Sequence, residues 1–248
     1  MSRFDRFPDS LQIVVIGANG GIGSALIREL LLEPKVGKIF SFSRCHEKHS
    51  VCHDKLIHGY LDLENEISIQ QLGATLSGER LDIVLLATGV LHGESFQPEK
   101  SLRDLSLDKL NKLFAINTFA PALIAQQLLP LLAKKGPAVL AALSARVGSI
   151  GDNRLGGWYS YRASKAALNM LLKTISIESA RSRPQTVICG LHPGTVDTAL
   201  SEPFQRNVPE KQLFSPEVSA SHLLDVISAL QTQDSGKVFD WAGKEIPY

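Results

Sequence analysis

The sequence predicts an α/β fold in which one doubly wound, mostly parallel sheet carries helices on both faces. Three observations predict it. Short, continuous apolar runs alternate with stretches of helical periodicity along nearly the whole chain, the pattern of strands buried on both faces and joined by crossover helices. The first apolar run ends in a cluster of glycines that opens a helical stretch, as phosphate-binding turns do. No repeat, low-complexity tract or linker divides the 248 residues, so residues 1–248 are read as one domain.

Taken in order, LQIVVI (11–16) is the first strand, and a helix follows near 22–32. KIFSFS (38–43) and LIHGY (56–60) are the second and third strands, with a helix near 66–76. LDIVLLA (81–87) is the fourth strand, before a long helix over 107–134 that Pro121 should bend. AVLAAL (138–143) and TVICGL (186–191) flank a helix near 158–182. KVFDWA (237–242), after a helix near 216–230, completes a seven-stranded sheet. The segment from Thr195 to Pro216 shows no strand and holds Pro203, Pro209 and Pro216. It is expected to be a substrate loop, a lid near 195–216 with a short helix over a pocket.

Bulk properties narrow the class. With 44% apolar and 21% charged residues the chain can bury a large core. A formal net charge of +1 gives no electrostatic reason to expect nucleic acid or a membrane surface as partner. Three cysteines are an odd count that suits a reducing compartment. The apolar run Leu11 to Ile16 is six residues long, too short for a secretory core or a membrane span, so a cytoplasmic location is expected.

In VVIGANGGIGSAL, Gly17, Gly20, Gly21 and Gly23 lie between the first strand and its helix, with Asn19 and Ile22 among them. Gly17 permits a tight turn, Gly21 and Gly23 allow close backbone approach to a pyrophosphate, and the helix N-terminus offers free N–H groups and a positive dipole end. A dinucleotide is the expected cofactor. The second strand ends in Ser43 and Arg44, with no acid to accept from a ribose 2′-hydroxyl. A guanidinium suits a 2′-phosphate, so NADP(H) is expected in preference to NAD(H).

GGWYSYRASKAALNM (156–170) sets two tyrosines before a lysine. On a helix, Tyr161 and Lys165 are four apart and share a face, whereas Tyr159 and Lys165 point in different directions. With the glycine loop, Tyr161-x-x-x-Lys165 and HPGTVDT after a late strand, the chain resembles the short-chain dehydrogenase/reductase family over nearly its whole length. Its look is closest to the C-factor and sniffer-type carbonyl reductases.

The resemblance implies a single-domain Rossmann fold and an NADP-dependent oxidoreductase that interconverts a small-molecule carbonyl and an alcohol. Tyr161 would be the acid–base. Lys165 would bind the nicotinamide ribose and, as a cation one helical turn away, lower a phenol pKa that is ordinarily about 10. Asn117 would hold a water that relays protons to Lys165, unless its amide simply bonds backbone. Asp62 and Leu63 would meet the adenine, and Ala87, Thr88 and Gly89 would pass beneath its ribose. Pro193, Gly194, Val196 and Thr198 would frame the carboxamide. A homodimer or homotetramer would form through the helices at 107–134 and 158–182. Only about fifty residues follow Pro193-Gly194, which disfavours the family's longer epimerases and dehydratases.

The chain also departs from the family pattern. Where relatives read Ser-Ser-x-x-Gly, ALSARVGSI places Ala145 three before Gly148. Either Ser144 takes over the role of polarising the carbonyl, which is the favoured reading, or Ser149 does, or the hydroxyl is absent. LLATGVLHG replaces the usual Asn-Asn-Ala-Gly. The rival reading of function is therefore an NADP(H)-binding signalling protein with weak or no turnover. Trp158, Leu91 and Phe204 suggest an apolar substrate pocket. The dense run Cys45, His46, His49, Cys52, His53 and His58 matches no common zinc spacing, so it is read as a polar loop and no metal is expected.

Overall fold

Leu11–Ile16 (β1), Val36–Ser43 (β2), Leu56–Tyr60 (β3), Ile83–Leu86 (β4), Ala138–Leu143 (β5) and Thr186–His192 (β6) stand side by side in the order 3-2-1-4-5-6, every neighbouring pair parallel. The computed structural model describes residues 2–45 and 51–248. Among the described residues, six α-helices cross between or follow these strands: Gly21–Leu31 (α1), Glu66–Thr75 (α2), Leu107–Phe114 (α3), Ala120–Leu128 (α4), Tyr159–Ala180 (α5) and Pro216–Ala229 (α6). Reversal of the strand order beside β1 opens a crevice at the carboxyl ends of β1 and β4, the place where such sheets bind ligands.

The continuous apolar runs serve two cores. Leu11, Ile13 and Val15 of β1 pack with α1 and α6, and Val14 and Ile16 pack with α2, α4 and α5. Phe4 and Phe7, ahead of the first strand, are buried in the first core and meet edge to face at 5.7 Å.

The sheet has eight strands, one more than the seven read from the sequence. Val238–Asp240 (β9) lies parallel to β6, and Glu245–Ile246 (β10) folds back antiparallel beside it. The extra strand is two residues long, too short to leave a periodic trace, and its turn is made by the Asp240 carboxylate, which accepts from the N–H groups of Ala242 and Lys244 at 3.0 and 2.9 Å.

Residues 195–216 also differ from the expectation of a strandless loop. Thr195–Val196 (β7) pairs in parallel with Leu213–Phe214 (β8), and two 3₁₀ turns, Glu202–Asn207 and Glu210–Gln212, lie between them. The rings of Phe214, His222 and Trp241 close on one another at 4.7 to 5.5 Å and tie the base of this segment to α6 and the last hairpin.

The helix expected over 107–134 is broken into α3, a π-helical turn at Ala115–Phe119, α4 and a 3₁₀ turn at Leu129–Leu131. The irregularity comes before Pro121, and the proline explains it. Proline carries no N–H, so the carbonyl of Asn117 loses the donor four residues on that a regular helix would supply. Among the described residues, only Leu107–Leu131 is long and apolar enough to cross a membrane, with a mean hydropathy of 1.3. Here Ala120, Ile124, Ala125 and Leu128 bury that apolar side in the second core.

Candidate active site

A cavity of about 880 Å³ opens in the crevice, within the range of small-molecule sites. Gly17, Asn19, Gly20, Ser43, Arg44, Leu63, Ala87, Thr88 and Gly89 line it. Gly17 has φ +86°, and a Cβ there would stand 2.5 Å from the Ala87 carbonyl, so only glycine makes this turn. A Cβ on Gly23 would enter the Gly17 carbonyl, so Gly23 serves the close approach of α1 to β1. At Gly21 the obstacle is a protein atom, Thr198 Cγ2 at 2.5 Å. Ile22 begins the same helix and packs on the first core. Gly20, the N-cap of α1, brings no side-chain hydrogen bond to the helix end.

These residues fit a dinucleotide. The first turn of α1 is uncapped by any side chain, and the Thr88 hydroxyl is buried at the cavity wall with no partner among the described residues. Ser43 Oγ and Asn19 Nδ2 both donate to the Cys45 carbonyl at 3.0 Å, tying the glycine loop to the end of β2. Asp62 Oδ1 accepts from the Glu64 N–H at 3.0 Å. Pro193 O accepts from Ser219 Oγ at 2.9 Å, and Gly194 turns at φ +81° beneath the Phe214 ring. Val196 is buried, and the Thr198 hydroxyl donates to its carbonyl at 3.4 Å.

Helix α5 brings Tyr161 and Lys165 inside and leaves Tyr159 38% exposed. Lys165 Nζ lies 5.9 Å from the Tyr161 ring centroid and donates to the Leu143 carbonyl at 2.7 Å. A Cβ on Gly148 would sit 2.8 Å from Lys165 Cβ, so this glycine lets the turn after β5 close on the helix. Loss of water dominates the electrostatics. Burial pushes the Tyr161 phenol up to about 12 and the Lys165 ammonium down to about 7. This is opposite in direction to the lowered phenol pKa expected from the sequence, because two buried groups each pay for charge before either helps the other.

Asn117 is fully buried, and its amide is engaged on all sides: Oδ1 accepts from the Val90 N–H at 2.8 Å, and Nδ2 donates to the Val90 carbonyl at 2.8 Å and to Ser164 Oγ at 3.1 Å. It pins the loop after β4 to α5. An atom built on Gly89 would lie 3.4 Å from Lys165 Nζ and 3.6 Å from Asn117 Oδ1, so these groups converge at one point.

Ser144, the residue expected to take the place of the polarising serine, is turned into the core. Its hydroxyl donates to Asn169 Oδ1 at 2.6 Å within the core. Ser149 Oγ accepts from the Asp152 N–H at 3.1 Å. Ala145 is the residue that packs with Tyr161, in an apolar cluster with Leu91 and Leu113 that Trp158, Phe204 and Leu200 adjoin. Trp158 meets Phe204 edge on at 5.0 Å and Tyr161 at 6.2 Å.

Sequence reasoning missed several residues here. Glu64, His92 and Lys112 all line the cavity, and Asn169 holds Ser144. His92 Nε2 contacts the carbonyls of Ala199 and Leu200 at 3.1 Å, bridging to the 195–216 segment. None belongs to a motif, although Glu64 directly follows Asp62-Leu63. Of the Cys/His run, His46 and His49 lie outside the described residues. Cys45 lines the cavity, and His58 Nδ1 bonds Ser41 Oγ at 2.7 Å. Among the described residues no group of three or more metal-ligating side chains stands together.

Known proteins share this fold. The structure superposes on the NADPH-bound carbonyl reductase from chicken fatty liver with a TM-score of 0.83 and 27% identity, over 97% of this chain and all of that one. The chain is 30% identical to 1-hydroxy-2-glutathionyl-2-methyl-3-butene dehydrogenase of Rhodococcus sp. (strain AD45), covering 91% of this chain and 94% of the relative. It is 34% identical to the C-signal of Myxococcus xanthus over 148 residues, 60% of this chain and 84% of that protein. The short chain dehydrogenase family matches residues 12–209, from β1 into the 195–216 segment. With its glycine turn, its crevice and its Tyr–Lys helix all inside that match, the chain belongs to the short-chain dehydrogenase family of oxidoreductases.

Proposed function

We propose that this oxidoreductase reduces an apolar carbonyl compound, and oxidises the matching alcohol, with NADP(H) preferred over NAD(H). The observation that carries the reading is the buried Tyr161–Lys165 pair beside a cavity of dinucleotide size. When bound, the nicotinamide would supply or accept the hydride.

The remaining steps belong to the chain. Tyr161, kept neutral by burial, is a ready proton donor to an oxygen that gains charge as it is reduced. Lys165, pushed down to about 7, sits where it can both give and take a proton near neutrality. It restores the phenol and, when charged, favours the phenolate in the reverse direction. It also holds the nicotinamide ribose. The Asn117 carbonyl, deprived of its regular helical donor, is the group that holds a water for Lys165, while its amide fixes the Val90 loop. Thr88, with its free buried hydroxyl, meets the adenosine ribose. Arg44 and Ser43 meet the 2′-phosphate. With Ala145 against it, Tyr161 is left as the donor to the carbonyl oxygen, and Trp158, Phe204 and Leu91 hold an apolar substituent and keep water out. Phe119, Met170 and Ile177 are each more than half exposed around α4 and α5 and mark the face through which copies pair.

The likeness to the C-signal and the alanine at position 145 favour a second reading, a nucleotide-binding signalling protein with little turnover. NADPH consumption against a panel of aldehydes, ketones and diketones, with NADPH binding measured in parallel, separates the two. Turnover on any of these carbonyls supports the reductase. Binding without turnover on all of them supports the second reading.

A further inference from the structure

We infer that Glu64 sets the strength of cofactor discrimination by competing with the 2′-phosphate for Arg44, and that Lys112 holds Glu64 back from that competition. The inference rests on the reading that Arg44 meets a 2′-phosphate.

The three side chains come from three different elements and meet at one end of the cavity. Arg44 follows β2, Glu64 precedes α2, and Lys112 is on α3. A single carboxylate faces two cations, one on each oxygen. Lys112 Nζ donates to Glu64 Oε1 at 2.9 Å, whereas Arg44 Nη1 stands 3.6 Å from Glu64 Oε2. The first is a charge-assisted hydrogen bond and the second is too long to be one. The Arg44 guanidinium, 67% exposed, therefore makes no hydrogen bond among the described residues.

A ribose with a plain 2′-hydroxyl has little use for such a cluster. A 2′-phosphate carries nearly two negative charges and gains from every cation within reach. Arg44 offers it a planar fork of donors. The charge on Glu64 opposes that gain in two ways: it repels the phosphate, and it offers Arg44 a rival anion. The Lys112 hydrogen bond weakens both effects by neutralising Glu64 and keeping it on the α3 side. The preference for NADP(H) is thus graded by an acid and its counter-cation, neither of which need touch the cofactor.

The test is calorimetric binding of NADPH and of NADH, at one fixed ionic strength, to the full chain and to Glu64→Gln, Lys112→Met, the double variant and Arg44→Ala. All three positions are solvent-accessible, and thermal unfolding of each variant checks that the fold is intact. Glu64→Gln should tighten NADPH binding about fivefold relative to NADH, an effect of the size expected for partly screened charges. Lys112→Met should weaken it by about the same factor, because Glu64 is then released toward Arg44. In the Glu64→Gln background Lys112→Met should change nothing further, since the charge it restrains is gone. The inference is overturned if Glu64→Gln leaves the NADPH-to-NADH ratio unaltered. It is also overturned if Lys112→Met weakens NADPH equally with and without Glu64, which would make Lys112 a direct phosphate ligand. A wild-type chain with no preference, together with Arg44→Ala affecting both cofactors alike, would instead overturn the Arg44 assignment on which the inference rests.

Discussion

Ser144 donates its proton to Asn169 at 2.6 Å inside the core, while its neighbour Ala145 packs with Tyr161. The two adjacent residues thus divide what a single serine at the pocket would combine. Ser144→Ala should behave as a stability variant. It strands the buried Asn169 oxygen at a cost of about 1–3 kcal/mol and should lower kcat/KM by less than about threefold. Ala145→Ser adds a hydroxyl beside the phenol and should raise turnover of unactivated ketones by about tenfold or more. Denaturant unfolding and steady-state kinetics on both variants decide it. A hundredfold loss of turnover in Ser144→Ala at unchanged stability would return the catalytic role to Ser144.

Tyr161→Phe removes one buried oxygen and should abolish nearly all turnover while leaving NADPH binding intact. Tyr159→Phe, on the exposed side of α5, should stay within about twofold of the parent chain, as surface substitutions usually do. Parallel fluorescence titrations and rate measurements are sufficient. Loss of activity in Tyr159→Phe with Tyr161→Phe active would reverse the assignment.

The pKa shifts carry a pH signature in stability. Lys165 titrates near 7 when folded and near 10.5 when unfolded, so between those values the unfolded chain binds a proton that the folded chain does not. Stability attributable to Lys165 therefore rises with pH across that window. Tyr161 works the other way, since its folded value is about 12 against 10.0 unfolded, and its contribution falls only above pH 10. From about pH 7 to about pH 9.5 the Lys165 contribution should reach up to about 3 kcal/mol. Urea unfolding of the parent and of Lys165→Met at both pH values measures the difference. An equal pH dependence in the two chains would mean that Lys165 is not held neutral by burial.

Gly21→Val places a branched side chain where Thr198 Cγ2 already stands, 2.5 Å from the position of a Cβ. It should displace the segment around Thr198 and abolish binding of NADPH and NADH alike, with α1 still formed. Calorimetry and circular dichroism together check this. Retained cofactor binding in a folded variant would mean that the uncapped end of α1 is not the phosphate site.

Much of this was legible in the sequence because it was written locally. β1, β3 and β5 have the limits read from their apolar runs, and the four-residue spacing of Tyr161 and Lys165 correctly put them on one face of α5. The glycine turn was readable because it needs one residue type at fixed places. What the sequence concealed depends on contacts between distant segments. Ala145 packs with Tyr161 while Ser144 is held by Asn169, a partner twenty-five residues on. The salt-bridged trio of Arg44, Glu64 and Lys112 joins three separated elements with residues that look like any solvated surface. The raised Tyr161 value leaves no trace in the sequence, because proximity of a cation is visible in a spacing, whereas loss of solvent is a property of the assembled core. β7, β8 and β10 are two residues each and fall below any period.

The π-helical turn at Ala115–Phe119 gives the rod from Leu107 to Leu128 one residue more than a regular helix of that length would hold. One residue is about 100° of rotation, so the two halves of the rod are out of phase. The leading half presents Lys112 to the cavity, joined there by Ile116 of the turn, and the trailing half presents Ile124 and Leu128 to the sheet. The turn works as a phase shifter between a surface shaped by the nucleotide and a surface shaped by the core. Each half can drift in sequence without re-aiming the other. Deleting a single residue from the turn would rotate the halves by about 100° against each other, return the proline to the interior of a regular helix, and swing Asn117 off Val90.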